Sequence, residues 1–166
     1  HPGANMKIPP EILEQALTRA ETGDWLVMQN ETILQPEAAA LASKMGLKVA
    51  YAAAPFDAEK VQAVLDHLDL LFLNAVEAQQ LEEATGTSPA KLPVENVIVT
   101  QGGDGATWFG PDGPVHVAAL QVEPVDTTGA GDTFMASHIA AEASGLSDAA
   151  ALDEALAATA MFVSTA

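Results

Sequence analysis

Short, continuously apolar runs alternate with segments of helical period along most of this chain, and that alternation restricts the fold more than any other feature. Trp25-Leu26-Val27-Met28, Leu47 to Tyr51, Leu70-Leu71-Phe72-Leu73 and Val97-Ile98-Val99-Thr100 read as strands. Helical patterns lie between and around them. Pro10 and Glu11 open one that runs to about Arg19, with Ile12, Leu13 and Leu17 on one face. Others run from Pro36 to Met45, where Gly46 ends the helix, from Ala58 to Leu68, and from Val76 to Thr85, closed by Gly86. Two more, Asp132 to Ser144 and Asp148 to Val163, are parted by Gly145. Strands without polar alternation are covered on both faces, which predicts a mainly parallel sheet between helices, an α/β three-layer sandwich. Thr107-Trp108-Phe109 and Val115-His116-Val117 add a hairpin around Gly110 to Gly113. Between Gly86 and Val97 there is little room for a second crossover helix, so Thr87 to Asn96 is expected to be a loop, a compressed connection or a place where residues are missing.

In open sheets of this kind, ligands sit beyond the carboxyl ends of the strands. Asn74, Thr100 and the loop after Val125 are predicted to lie there. The run Val125 to Phe134 reads as the end of a β-like segment followed by a helix start. Its glycines, Gly129 and Gly131, let the backbone turn tightly and leave bare amides at the positive end of the helix dipole, a ready anion site. Asp132 lies in the same turn. An anion hole beside a carboxylate suits a reaction in which phosphate is held and a hydroxyl deprotonated. Taken alone, Asp132 could equally be a helix-start residue, Asp126 a turn residue, Asn74 and Glu77 a capped first turn, and Gly102, Gly103 and Gly105 ordinary turn glycines.

Composition narrows the partners. Six Lys+Arg against 23 Asp+Glu give a net charge of -17, which argues against nucleic acid and anionic membrane surfaces. No apolar run approaches membrane-spanning length. There is no cysteine, which removes disulfides and fits a reducing, cytoplasmic setting. No basic-then-apolar leader is present, and secretion is not expected. His1, His67, His116 and His138 are not clustered at metal-ligand spacing. Neither a dinucleotide fingerprint nor a P-loop fits. Asp132, Thr133 and Phe134 follow Gly129-Ala130-Gly131 where a third glycine would stand, and no Gly-Lys-Ser/Thr follows the glycines.

Asp126 to Phe134 reads Asp-Thr-x-Gly-Ala-Gly-Asp-x-Phe and resembles the second signature of the ribokinase-like carbohydrate kinases, the PfkB family. Asn74-Ala75-Val76-Glu77 resembles the family's Asn-x-x-Glu motif, and Val99 to Gly105 its nucleotide loop. His1 to Asn5 and Gln29-Asn30-Glu31 resemble segments typical of ribokinases. The resemblance covers essentially the whole chain, so 1–166 is expected to be the C-terminal part of a single ribokinase-like domain carrying the nucleotide and anion-hole side. It implies Asp132 as catalytic base and Gly129, Ala130 and Gly131 as the anion hole. It implies Asn74, Thr100, Gly102 and Gly105 as nucleotide-binding residues and Glu77 as the residue that organises Mg²⁺ and phosphates. Asp126 and Thr128 would contribute to a K⁺ site, and Glu31 would contact the sugar. ATP, Mg²⁺ and K⁺ are the implied cofactors, with a small sugar as partner and a homodimer possible in the full-length protein.

The implied reaction is phosphorylation of the primary hydroxyl of a small sugar, D-ribose first, with fructose, a keto-deoxy sugar acid or a nucleoside as alternatives. A non-catalytic nucleotide-binding module is the other alternative. The family's N-terminal Gly-Gly sugar signature, N-terminal strands and lid have no counterpart in the sequence. Ala52-Ala53-Ala54-Pro55 stands where ribokinases often carry Asn-Pro-Ala-Pro. Leu156 stands near a position where many members have a polar residue facing adenine, and the family's C-terminal Gly-Ala segment would fall beyond Ala166.

Overall fold

Leu70, Leu71, Phe72 and Leu73 are buried at successive positions, so this strand is covered on both faces, as its unbroken apolar run requires. It is β3 (Leu70–Asn74) in the computed structural model of the chain, which describes residues 3–165. The strands before it are β1 (Trp25–Gln29) and β2 (Lys48–Ala52), and those after it are β4 (Asn96–Thr100), β5 (Ala106–Gly110) and β6 (Gly113–Val117). Hydrogen-bonded neighbours follow chain order in a six-stranded sheet. β1 pairs in parallel with β2, Trp25 opposite Lys48, and β2 with β3, Ala50 opposite Leu70. β5 and β6 pair antiparallel, with Trp108 opposite Val115. The chain divides into two compact units, His1–Val97 and Ile98–Ala166.

In the first unit, α1 (Pro10–Leu17) starts at a proline, whose missing N–H costs nothing in a first turn. α2 (Gln35–Lys44) links β1 to β2 and packs on both with Ala38, Ala39 and Ala42 buried. Small side chains let the helix approach the strands closely. α4 (Ala75–Thr85) packs on β3 through Ala78 and Leu81 and ends at Gly86, in the left-handed conformation that favours glycine. Val49, Tyr51, Val61, Val64, Leu71 and Leu81 are essentially without exposure. Each such aliphatic side chain contributes about 1.5–3 kcal/mol by leaving water. Asp69 ties the entries to two strands: its Oδ2 accepts the Val49 N–H at 2.7 Å, and its own N–H donates to the Val49 carbonyl at 2.9 Å.

In the second unit, α5 (Ala130–Ala143) and α6 (Asp148–Thr165) pack on each other, and α6 packs on β5 and β6. Trp108, Phe134, Leu152, Ala155 and Leu156 are buried here.

Two local expectations are corrected, and a third, the loop over Thr87 to Asn96, is met. The helix expected over Ala58 to Leu68 is split into α3 (Ala58–Gln62) and a 3₁₀ turn at Leu65–His67. Val64, Leu65 and Leu68 are all buried there, and the tighter turn brings this closely spaced set inward. The residues after β6, 118–129, hold neither helix nor strand, so no β segment precedes the Gly129 turn. The Thr87 to Asn96 stretch needs no second helix. β3 and β4 are neighbours in the sheet, α4 supplies their crossover, and the remainder is a loop with a 3₁₀ turn at Pro89–Lys91.

Candidate functional site

The helix α5 begins where the sequence places an anion site. Gly129 is its N-cap residue, with φ 80 and ψ 6. A Cβ there would lie 3.6 Å from the Phe162 ring, an ordinary contact. Glycine is therefore required by the backbone conformation and not by crowding. The Ala130 N–H donates to the Thr127 carbonyl at 3.1 Å and the Thr133 N–H to the Gly129 carbonyl at 2.9 Å. Between them, the Gly131 amide belongs to the first turn, where the helix supplies no carbonyl. This stretch of helix buries Phe134 and Met135 while Gly131 and Asp132 stay exposed.

The approach to that turn is fixed by Asp126. Its Oδ1 accepts the Thr128 N–H at 2.8 Å, an Asx turn. Hydrogen bonds from the Thr128 backbone and then its side chain hold the Asp126 carboxyl below the usual carboxylate range. The N–H groups of Val125 and Asp126 donate to the Val163 carbonyl at 2.8 and 3.4 Å, tying the turn to α6. Farther along α5, the buried His138 stacks on Phe134 with 6.3 Å between ring centroids, and its Nε2 lies 3.3 Å from Glu142 Oε1.

Thr100 ends β4 and the chain turns through Gly102–Asp104. Gly102 has φ 60 and Gly105 φ 107, and the Gln101 N–H donates to the Gly105 carbonyl at 2.8 Å. A Cβ on Gly105 would fall 2.0 Å from the Val117 carbonyl oxygen, so only glycine fits. Beside this turn is a cavity of about 240 Å³, whose lining includes Gly102, Gly103, Leu120, Thr127, Ala130 and Leu156. The glycine turn and the start of α5 are therefore brought to one cavity. Thr100 and Gly105 do not line it. Sequence reasoning missed Thr127 and the segment around Leu120 as cavity walls, because an irregular stretch carries no period to read.

The remaining predicted residues lie in the first unit. Asn74 and Glu77 form a reciprocal capping box at the end of β3. Asn74 Oδ1 accepts the Glu77 N–H at 2.9 Å, and Glu77 Oε2 accepts the Asn74 N–H at 2.8 Å. Glu31 follows β1 and is exposed, with its N–H donating to the Gln29 carbonyl at 2.8 Å. Its neighbour Asn30 is buried, and Asn30 Nδ2 donates to the Pro55 carbonyl at 2.6 Å. The Ile33 N–H donates to the Asn5 carbonyl at 3.3 Å. This joins the Asn5 segment to the turn after β1; His1 and Pro2 lie outside the described residues.

Among the described residues no group of His, Cys, Asp or Glu could by itself hold a metal ion. The donor chemistry nevertheless fits cations held mainly by other oxygens. One Glu77 oxygen is committed to the cap and the carboxylate retains the other, which suits contact through water to a Mg²⁺ that prefers waters and phosphates. The exposed Asp126, held ionised, fits one ligand of a K⁺ ion. No helix among the described residues is long and apolar enough to cross a membrane.

The model of the pfkB family carbohydrate kinases matches residues 8–166. A ribokinase of Bacillus subtilis is 34% identical over 158 residues, covering 90% of this chain and 52% of that protein. A deoxyribokinase of Salmonella typhi is 31% identical over 145 residues, covering 80% and 47%. The crystal structure of a ribokinase from Thermotoga maritima superposes with a TM-score of 0.82 at 26% identity, covering 99% of this chain and 57% of that one. The chain spans about half the length of the curated relatives it matches.

Proposed function

The chain belongs to the pfkB family of carbohydrate kinases, and from that premise we propose that it carries the phosphoryl-transfer side of an ATP-dependent sugar kinase, with D-ribose as first substrate. The observation that carries this reading is the exposed Asp132 carboxylate in the same helical turn as the Gly131 amide, next to a glycine-walled cavity. In this reading the cavity takes the nucleoside part of ATP. Gly102 and Gly105 shape its turn, Thr100 precedes it, and Leu156 offers an apolar wall for the base.

Asp132 takes the proton from the sugar's primary hydroxyl as that oxygen attacks the γ-phosphorus. The new P–O bond forms to the sugar, the bond to the ADP oxygen breaks, and the proton resides on Asp132. Negative charge on the transferring group is met by the amides of Gly129, Ala130 and Gly131 and by the helix dipole. The Ala130 amide is bonded to the Thr127 carbonyl as the turn stands, so in this reading the phosphoryl group would have to displace that bond to recruit it. Phosphoryl transfer asks mainly for such positioning and charge stabilisation. Glu77 and Asn74 would hold Mg²⁺ through water, and Asp126 with Thr128 would hold K⁺. Mg²⁺ supplies neutralisation of the nucleotide phosphates when bound. Glu31 would contact the sugar.

Similarity to both a ribokinase and a deoxyribokinase supports 2-deoxyribose as the second substrate reading. The test is ADP formation from ATP, Mg²⁺ and K⁺ with ribose, 2-deoxyribose, fructose and a nucleoside in turn. Ribose-dependent ADP release supports the reading. Nucleotide binding with no release for any sugar from the full-length polypeptide points instead to a non-catalytic nucleotide module.

A further inference from the structure

We propose that Gln121 is a positioning residue for the nucleotide, acting as a clasp that holds the two walls of the cavity together. The proposal rests on the reading above that this cavity takes the nucleotide. Gln121 Nε2 donates to the Gly103 carbonyl at 3.1 Å and to the Ala119 carbonyl at 3.4 Å. One side-chain amide therefore spans the glycine turn and the irregular segment that faces it across the cavity. Gly103 and Gln121 both line that space.

The turn needs such a clasp. It contains Gly102, Gly103 and Gly105, each with more backbone freedom than any other residue. At its base, Gly105 is pressed against the Val117 carbonyl and the Ala118 backbone. Gly103 has no such contact within reach of a Cβ position. Its carbonyl is instead fixed by Gln121. The opposing segment, residues 118–129, lacks helix or strand bonding of its own. A ligand that must order part of a cavity wall on entering loses affinity to that ordering, and a clasp formed beforehand removes that loss. Asp132 lies on α5, so the clasp bears on nucleotide affinity and leaves the proton transfer alone.

Three variants separate the hydrogen bond from mere packing. Gln121→Met keeps the length and loses the donor. Gln121→Glu keeps the shape and offers only acceptors to two carbonyls. Gln121→Lys restores a donor. Titration of the intact protein with ADP at about 0.5 M KCl, where screening suppresses the charge changes, reads the effect. Met and Glu weaken ADP binding about three- to tenfold, the scale of one net hydrogen bond, and Lys stays within about twofold of wild type. In turnover, the KM for ATP rises in Met and Glu, while kcat and the KM for sugar stay within about twofold. Equal ADP affinity in Gln121→Met and wild type, or a Lys variant as weak as Met, overturns the clasp while leaving the nucleotide reading intact. A wild-type protein that binds no ADP overturns both.

Discussion

Asp132 is exposed in the first turn of a helix that buries Phe134 and Met135 just beyond it, and this contrast carries the functional account at the level of single residues. Replacing it with Asn keeps the shape and removes the base. Asp132→Asn is expected to lower kcat by about 100- to 10,000-fold with ADP affinity within about threefold; steady-state rates and ADP titration check both. Gly129 makes a separate prediction. With φ 80 and only an ordinary contact awaiting a Cβ, Gly129→Ala should cost about 1–2 kcal/mol in urea unfolding, from backbone conformation alone. Asp126 has a depressed folded pKa. Its contribution to the turn is therefore present above the unfolded carboxylate pKa and is lost as pH falls through the folded one. Asp126→Asn retains an oxygen for the Thr128 N–H but removes the charge that carries this contribution, so stability at neutral pH should fall slightly and lose this acid dependence, and activation by K⁺ should fall. The run from Asp126 to Phe134 was legible because nine consecutive residues combine turn chemistry with a carboxylate. Asn74 and Glu77 were legible as a pair, yet the same side chains serve as a helix cap, so the cap by itself does not distinguish the roles. Gln121 was not legible, because a side chain that bonds two carbonyls in an irregular stretch leaves no pattern in sequence.

At the scale of elements, continuous apolar runs translated directly into strands. β3 is buried at four successive positions, and no alternating pattern could have produced that. Pairing order was not readable from the runs, since hydrogen bonding between strands leaves no mark in the order of side chains. The carboxyl end of α5 and the start of α6 carry a small titrating group. Asp148 is raised above the usual carboxylate range, first by burial and then by its hydrogen bond and like charge with Glu142, while His138 pulls the other way. A raised folded pKa means the native state holds the proton more tightly. That stability is present below the unfolded pKa and is lost as pH rises through the folded one. Thermal melts from pH 4 to pH 8 should show this loss in the wild type and its reduction in Asp148→Asn. An unchanged slope in the variant would place the pH dependence elsewhere.

For the whole molecule, length and charge pull in opposite directions. The chain spans about half the length of its curated relatives. β1, first in the strand order, carries an exposed Val27 between half-buried Leu26 and Met28. An apolar strand at the end of a sheet favours pairing with another chain, while a net charge of -17 opposes it. The 166-residue chain is therefore expected to associate more as salt rises, which sedimentation velocity at 0.05 and 0.5 M NaCl would detect; a monomer at both would contradict this.

The central claim is that Asp132 and its glycine turn transfer phosphate from ATP to a sugar hydroxyl. Its most direct test is ADP release by the full-length polypeptide with ATP, Mg²⁺, K⁺ and D-ribose, wild type beside Asp132→Asn. The account predicts sugar-dependent release that collapses in the variant while ADP still binds. Release that is the same in both proteins would contradict it.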